Sequence, residues 1–145
     1  VGSGPLRSEV EDKARQLRIR NRLVLTGFRE DVPQLIKMFD VFALSSSEEG
    51  IASVLFEVMA CEKPIVATRA AGVREAVLDG QTGILVPIKD PRALAEAILK
   101  LIREPEVTQR YAEAGHRRVK ENFTVGTLTQ QTLDVYQRVL AGEVE

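Results

Sequence analysis

Tryptophan is missing from this chain, and cysteine and histidine occur once each, as Cys61 and His116. A lone cysteine forms no internal disulfide and, with a single histidine, supplies no metal cluster. The same scarcity weakens a reading as a Ser-His-Asp hydrolase. No apolar run reaches the length of a membrane span, and VGSGPLRSEV lacks the charged and then apolar character of a signal peptide. Charge of one sign is also lacking: 20 basic against 21 acidic residues leave a net charge of -1, so no global field draws in nucleic acid or an anionic membrane. These absences describe a reducing, cytoplasmic setting and no nucleic-acid partner. What remains is 145 residues with 44% hydrophobic content, enough for one sizeable core.

The apolar residues alternate between two kinds of segment. Leu6, Val10, Ala14 and Leu17 have helical spacing over Pro5 to Ile19, with proline at the first turn. Leu23 to Leu25 reads as a short strand, broken by Thr26 and Gly27, and Asp31 as the cap of a helix through Phe39. Val41 to Leu44, Pro64 to Thr68 and Ile84 to Val86 read as buried strands, separated by helices over Ala52 to Cys61 and Val73 to Leu78. From Asp90 the pattern turns wholly helical, with helices opened by Asp90-Pro91, by Pro105 and by Thr124. The last of these, with Leu128, Leu133, Tyr136 and Leu140, reads either as core or as a surface for a partner domain.

Short buried strands alternating with helices predict an α/β fold, a Rossmann-like parallel sheet sandwiched by helices, with its ligand cleft beyond the carboxyl ends of the strands. The loops at that end are SGP, TGFRED, SSSEEG and TRAAG. Only Val1 remains of a strand that should precede the glycine turn, so the chain is expected to begin inside a domain.

The loop SSSEEG and the helix after it carry the most chemistry. Glu49 ends the loop, Gly50 permits close backbone approach, and Glu57 follows eight residues later on the helix. Free amides around Ile51 to Ser53, with the helix dipole, suit a diphosphate. A carboxylate a turn further on is matched to hydroxyl groups, because it accepts two hydrogens at once. A nucleotide sugar offers both. Taken singly, Glu49 and Glu57 are equally what a solvated loop and a helix surface would show, and the Gly2 and Gly4 pair needs no ligand to explain a tight turn. Glu75 reads as either a dipole partner near the start of its helix or a ligand contact. Cys61 reads as a small buried hydrophobe and His116, next to Arg117 and Arg118, as solvated.

Glu49 and Glu57 with seven residues between them, followed by MACEKPIVAT and AAGVREAV, resemble the signature of family 4 (group 1) glycosyltransferases. VGSGPL, RLVLTGF, DVFALSSSEEG and GQTGILVPIKDPRALAEAI resemble further family segments in the family's order, over nearly the whole chain. The resemblance implies the carboxy-terminal, donor-binding domain of a GT-B enzyme, occupying 1–145 with its terminal helices over 91–145. The first strand and helix of that domain, and the amino-terminal acceptor domain, would then be missing partners. It implies transfer from a nucleoside diphosphate sugar with retention of configuration and without a metal or other cofactor. Glu49 would act at the transferring sugar and Glu57 on the ribose hydroxyls. Gly50, Ile51, Ala52, Ser53, Gly4 and Arg29 would complete the donor contacts.

Two departures accompany the match: Ile51-Ala52 stand where the family has Phe-Gly, and Glu62 stands where it has glycine. A methyl at Ala52 is expected to narrow the donor pocket. Arg69 and Arg74 are expected to supplement weakly the basic residues that clamp the diphosphate. The chain alone is expected not to turn over, and its sheet to be rearranged, or completed at an open edge by another copy or a separate chain. The alternative functions are a non-catalytic nucleotide or nucleotide-sugar binding module and, less in keeping with the segment order, a sugar nucleotide epimerase. Membrane contact, through the missing domain, is left open.

Overall fold

The computed structural model describes residues 1–50 and 52–143. Two compact units emerge, Val1–Val32 and Pro33–Glu145. The larger is built on a three-stranded, wholly parallel sheet in the order β1 (Phe42–Leu44), β2 (Ile65–Thr68), β3 (Ile84–Val86). All four residues of β2 are buried, and because successive side chains point to opposite faces, both faces of the sheet are covered. The expected α/β architecture is therefore present. Among the described residues the sheet has three strands, and β1 pairs only with β2.

Helices α2 (Val32–Lys37), α3 (Ser53–Ala60), α4 (Ala71–Ala76), α5 (Pro91–Arg103), α6 (Pro105–Asn122) and α7 (Val125–Leu140) follow in order. Asp90 caps α5 by accepting from the Ala93 amide at 2.9 Å, and Pro91 occupies the first turn where no amide is needed. Thr124 caps α7 in the same way through Thr127. Helix α5 lies on β2 and β3, closing a core of Val66, Val86, Ala97, Leu101 and Tyr111. Full burial of a valine or leucine in such a core contributes about 1.5–3 kcal/mol. Helix α7 touches α6 but buries no residue, so it is not core of this chain. No helix among the described residues is long and apolar enough to cross a membrane.

In the smaller unit, α1 runs from Arg7 to Gln16, shorter than its apolar pattern suggested. The amide of Ile19 returns to the Ala14 carbonyl and that of Arg18 to Arg15, with Arg18 at positive φ, which closes the helix in a Schellman turn. The strand expected over Leu23 to Leu25 does not form. Among the described residues the nearest pairing is an isolated antiparallel bridge from Gly2 to Gly27, and Val24 is 79% exposed. Three aliphatic residues satisfy a strand pattern, but a strand requires a ladder of bonds to a neighbour. The Leu23 carbonyl is taken instead by the Arg20 side chain. Asp31 does not cap α2 by its side chain, because both its oxygens are bonded to the Arg29 guanidinium.

Candidate donor site

The carboxyl ends of β1 and β2 open into the loops SSSEEG and TRAA, and the candidate residues of the larger unit gather there. Thr68, 3% exposed at the end of β2, donates its hydroxyl to the Ser46 carbonyl. Ser46 in turn donates its own hydroxyl to Glu49 Oε1 at 2.7 Å. The Gly72 amide, in the first turn of α4, donates to the Glu49 carbonyl at 3.2 Å. Glu49, half-buried, is thus held at its side chain and at its backbone, by two different segments.

Gly72 explains how α4 comes so close. A β-carbon at that position would lie 1.6 Å from the Gly50 carbonyl oxygen, so only glycine permits this backbone contact. Helix α4 begins at Ala71, two residues before the start its apolar spacing suggested, and this places Gly72 beside the loop. It also moves Glu75 to the carboxyl end of the helix, where the reading of that residue as a dipole partner at a helix start fails.

Helix α3 begins at Ser53 with Ala52 as N-cap, and no side chain caps it. Its buried face is Leu55, Val58 and Met59. Ser53 and Glu57, four residues apart, share the exposed face. Ala52 is 3% exposed with φ at -78°, ordinary for alanine. Its methyl therefore packs inside the protein and does not narrow the open cleft, contrary to the expectation drawn from the family's glycine. Ile51 lies outside the described residues.

The remaining candidates are placed differently. Gly4, exposed, precedes α1 in the smaller unit, and its carbonyl accepts from the Arg7 amide. Arg29, in the same unit, forms a two-pronged ion pair with Asp31, with Nε 2.7 Å from Oδ1. These hydrogen bonds raise the Arg29 pKa and hold the Asp31 carboxyl below its ordinary value, with the opposite charges adding to both shifts. Arg69 does not hold a free charge toward the cleft: its Nη2 bonds Asp79 Oδ2 at 2.7 Å and the Leu85 carbonyl at 3.0 Å. Arg74 is exposed on α4. No three His, Cys, Asp or Glu side chains among the described residues are grouped to hold a metal ion.

Sequence reasoning missed three residues that hold Glu49 and its loop: Ser46, Thr68 and Gly72. Ser46 and Gly72 lay in loops marked as facing the cleft, but their bonds join segments far apart in the chain. His116 is half-buried against α3, not solvated, and Cys61 is half-buried with its sulfur 3.9 Å from the Pro33 carbonyl.

The family described as Glycosyl transferases group 1 matches residues 1–118. The chain belongs to that family, and its fold is that of the carboxy-terminal domain of GT-B glycosyltransferases. N-acetyl-alpha-D-glucosaminyl L-malate synthase of Bacillus anthracis is 30% identical over 140 residues, covering 97% of this chain and 37% of that protein. Anabaena HepE, solved in complex with UDP, is 31% identical with a TM-score of 0.86, over 90% of this chain and 36% of that one; it has also been solved with UDP-glucose. The crystallised carboxy-terminal domain of a group 1 glycosyl transferase from Francisella tularensis shares the fold, with a TM-score of 0.76 at 24% identity, over 83% of this chain and 63% of that one. The chain thus spans a little over a third of the length of the first two.

Proposed function

We propose that this chain is the donor-binding domain of a glycosyltransferase that transfers a sugar from a nucleoside diphosphate sugar with retention of configuration. The observation that carries the reading is the arrangement around α3. An acid fixed at backbone and side chain, Glu49, precedes an uncapped helix start, and Ser53 and Glu57 share the exposed face of that helix. In this reading the diphosphate lies at the first-turn amides, where partial positive charge collects. Glu57 accepts from the ribose hydroxyls, and Glu49 faces the sugar that is transferred. Gly50, Ile51, Ala52 and Ser53 contribute backbone. Departure of the diphosphate is stabilised by amides and basic side chains without a metal. That a relative of this fold binds UDP and UDP-glucose supports a uridine nucleotide as the first ligand to try.

The acceptor is bound, in the same reading, by a separate amino-terminal domain, and the chain by itself does not turn over. The protein works in the cytoplasm, with any membrane contact made through that domain. The outer edge of β1 is a site for self-association: Phe42 directs its amide to the carbonyl of Pro64, just before β2, so Ala43, exposed, directs its own backbone groups away from the sheet. Sedimentation velocity across concentrations checks this, since a purely monomeric chain at high concentration contradicts association.

Calorimetric titration with UDP, GDP and ADP, beside the Glu57→Ala variant, tests the donor site. Binding of one nucleotide that the variant loses supports the reading and identifies the base. Equal binding by variant and parent places the nucleotide elsewhere and overturns it.

A further inference from the structure

Helix α6 packs across α3, and Gly115 lets it come close: a β-carbon there would lie 3.3 Å from Met59 Cγ. The next residue, His116, reaches the carboxyl end of α3. Its Nδ1 lies 3.1 Å from the Ala60 carbonyl and 3.3 Å from that of Met59, and its Nε2 lies 3.4 Å from Glu62 Oε1. Carbonyl oxygens only accept, so Nδ1 carries the hydrogen. Two residues further, Arg118 does the same for α4: its Nε donates to the Ala76 carbonyl at 3.1 Å and its Nη2 to that of Glu75 at 2.9 Å. The guanidinium also lies over the Phe123 ring, 5.2 Å from its centroid, and that ring stacks on Phe56 of α3 with centroids 4.4 Å apart.

One rigid helix therefore grips the carboxyl ends of the two helices whose amino ends frame the candidate donor site. Helix α3 presents Ser53 and Glu57, and α4 presents Gly72 to Glu49. Helices of this length, about 9–12 Å at 1.5 Å per residue, transmit an axial displacement with little loss. The donors are also of the right kind, since orphan carbonyls at helix carboxyl ends favour cationic or hydrogen-bonding side chains. We propose that His116 and Arg118 are positioning residues for the donor site, which set the relative height of α3 and α4 and so hold Glu57 and Glu49 in register.

The proposal rests on the donor-site reading above, and the test separates the two. UDP is titrated into the 145-residue chain and into Glu57→Ala, His116→Ala, Arg118→Ala and Arg118→Lys. A control, Tyr111→Leu, lowers stability by disturbing α6 on its α5 side. Misplacement of a site by about 1 Å costs up to about a hundredfold. We expect each alanine variant to weaken UDP binding by about tenfold or more, Arg118→Lys to recover part of it, and Tyr111→Leu to stay within about twofold at an equal or larger fall in Tm. Loss of binding in Glu57→Ala with both alanine variants within twofold of the parent overturns the proposal and leaves the donor site standing. So does a loss that merely follows Tm in all variants. If the parent chain binds none of UDP, GDP and ADP, the donor reading fails and hydrogen exchange decides. The Gly72 amide, bonded to Glu49, should then exchange about tenfold faster in Arg118→Ala than in the parent, relative to α5 amides. Unchanged exchange overturns the positioning role.

Discussion

The Gly72 amide donates to the Glu49 carbonyl at 3.2 Å, and the space between α4 and the loop after β1 admits no side chain at position 72. This contact joins the two loops at the carboxyl ends of β1 and β2. It fixes the backbone of the acid assigned to the transferring sugar while the Ser46 hydroxyl fixes its carboxylate. The side-chain restraint is supported by Thr68, whose hydroxyl holds the Ser46 carbonyl in turn.

Gly72→Ala should therefore damage the site and the fold together. The added carbon would meet the backbone of Gly50, not a flexible side-chain end, so the loop must move. Overpacking of this kind costs about 1–3 kcal/mol. We expect a measurable fall in Tm and loss of most nucleotide affinity by calorimetry. An Ala variant that keeps both the Tm and the affinity of the parent would show that the loop is loosely held.

Ala52→Gly tests the departure from the family pattern. The alanine methyl is buried and its backbone is unstrained, so restoring glycine opens no room for a sugar. It removes one buried carbon, worth about 0.8 kcal/mol, but Ala52 is the N-cap of α3, where glycine is preferred over alanine, so the two effects offset. Denaturant unfolding should show a stability within about 0.5 kcal/mol of the parent, while nucleotide affinity should change by less than about twofold. A clear gain in affinity for a nucleotide sugar would mean that the methyl does crowd the donor.

The strands β1, β2 and β3, the caps of α5 and α7, and the loop carrying Glu49 were legible in the sequence because each is written locally. Asp90-Pro91 and Thr124 announce helix starts by chemistry that acts over three residues. The strand expected at Leu23 to Leu25 was illegible for the opposite reason: its existence depends on a neighbour, and Gly2 offers one bridge only. Gly72 gave no local sign that its missing side chain was essential, because the backbone it meets lies over 20 residues earlier. His116 and Arg118 were hidden similarly, within a run of charge that looks solvated until α6 is laid across α3 and α4.

Asp31 provides a titration that reports on the smaller unit. Its carboxyl titrates below the ordinary value of 3.8, first because it accepts hydrogen bonds from Arg29 and also through the attraction of that charge. A carboxylate whose folded pKa is depressed adds stability that is present above the unfolded value and is lost as pH falls through the lower folded value. In Arg29→Ala, the Asp31 midpoint followed by carbon-detected NMR should rise toward the ordinary value. An unchanged midpoint would mean that the ion pair does not persist in solution.

Glu62 occupies the position where a helix most readily ends in glycine. The Lys63 amide returns to the Val58 carbonyl and the Glu62 amide to that of Met59, which makes a Schellman turn at the end of α3 with Glu62 at φ of 53°. A side chain in this left-handed conformation costs about 1–2 kcal/mol that glycine does not incur. Against this, the Glu62 carboxylate lies 3.4 Å from His116 Nε2, but its side chain is 55% exposed, and even with the imidazole protonated a pair so open to solvent contributes at most about 1 kcal/mol, with many contributing nothing. Glycine's greater loss of backbone freedom on folding, about 0.5–1 kcal/mol, offsets part of the strain that it relieves. The strain therefore outweighs the pair, and Glu62→Gly should raise stability by about 0.5–1 kcal/mol, or about 2–4 °C in Tm. The His116 bonds to Met59 and Ala60 should survive, since they involve backbone carbonyls that the substitution leaves in place. A lower Tm in Glu62→Gly would show that the carboxylate holds His116 in its place on α3 and is worth more than the strain it imposes.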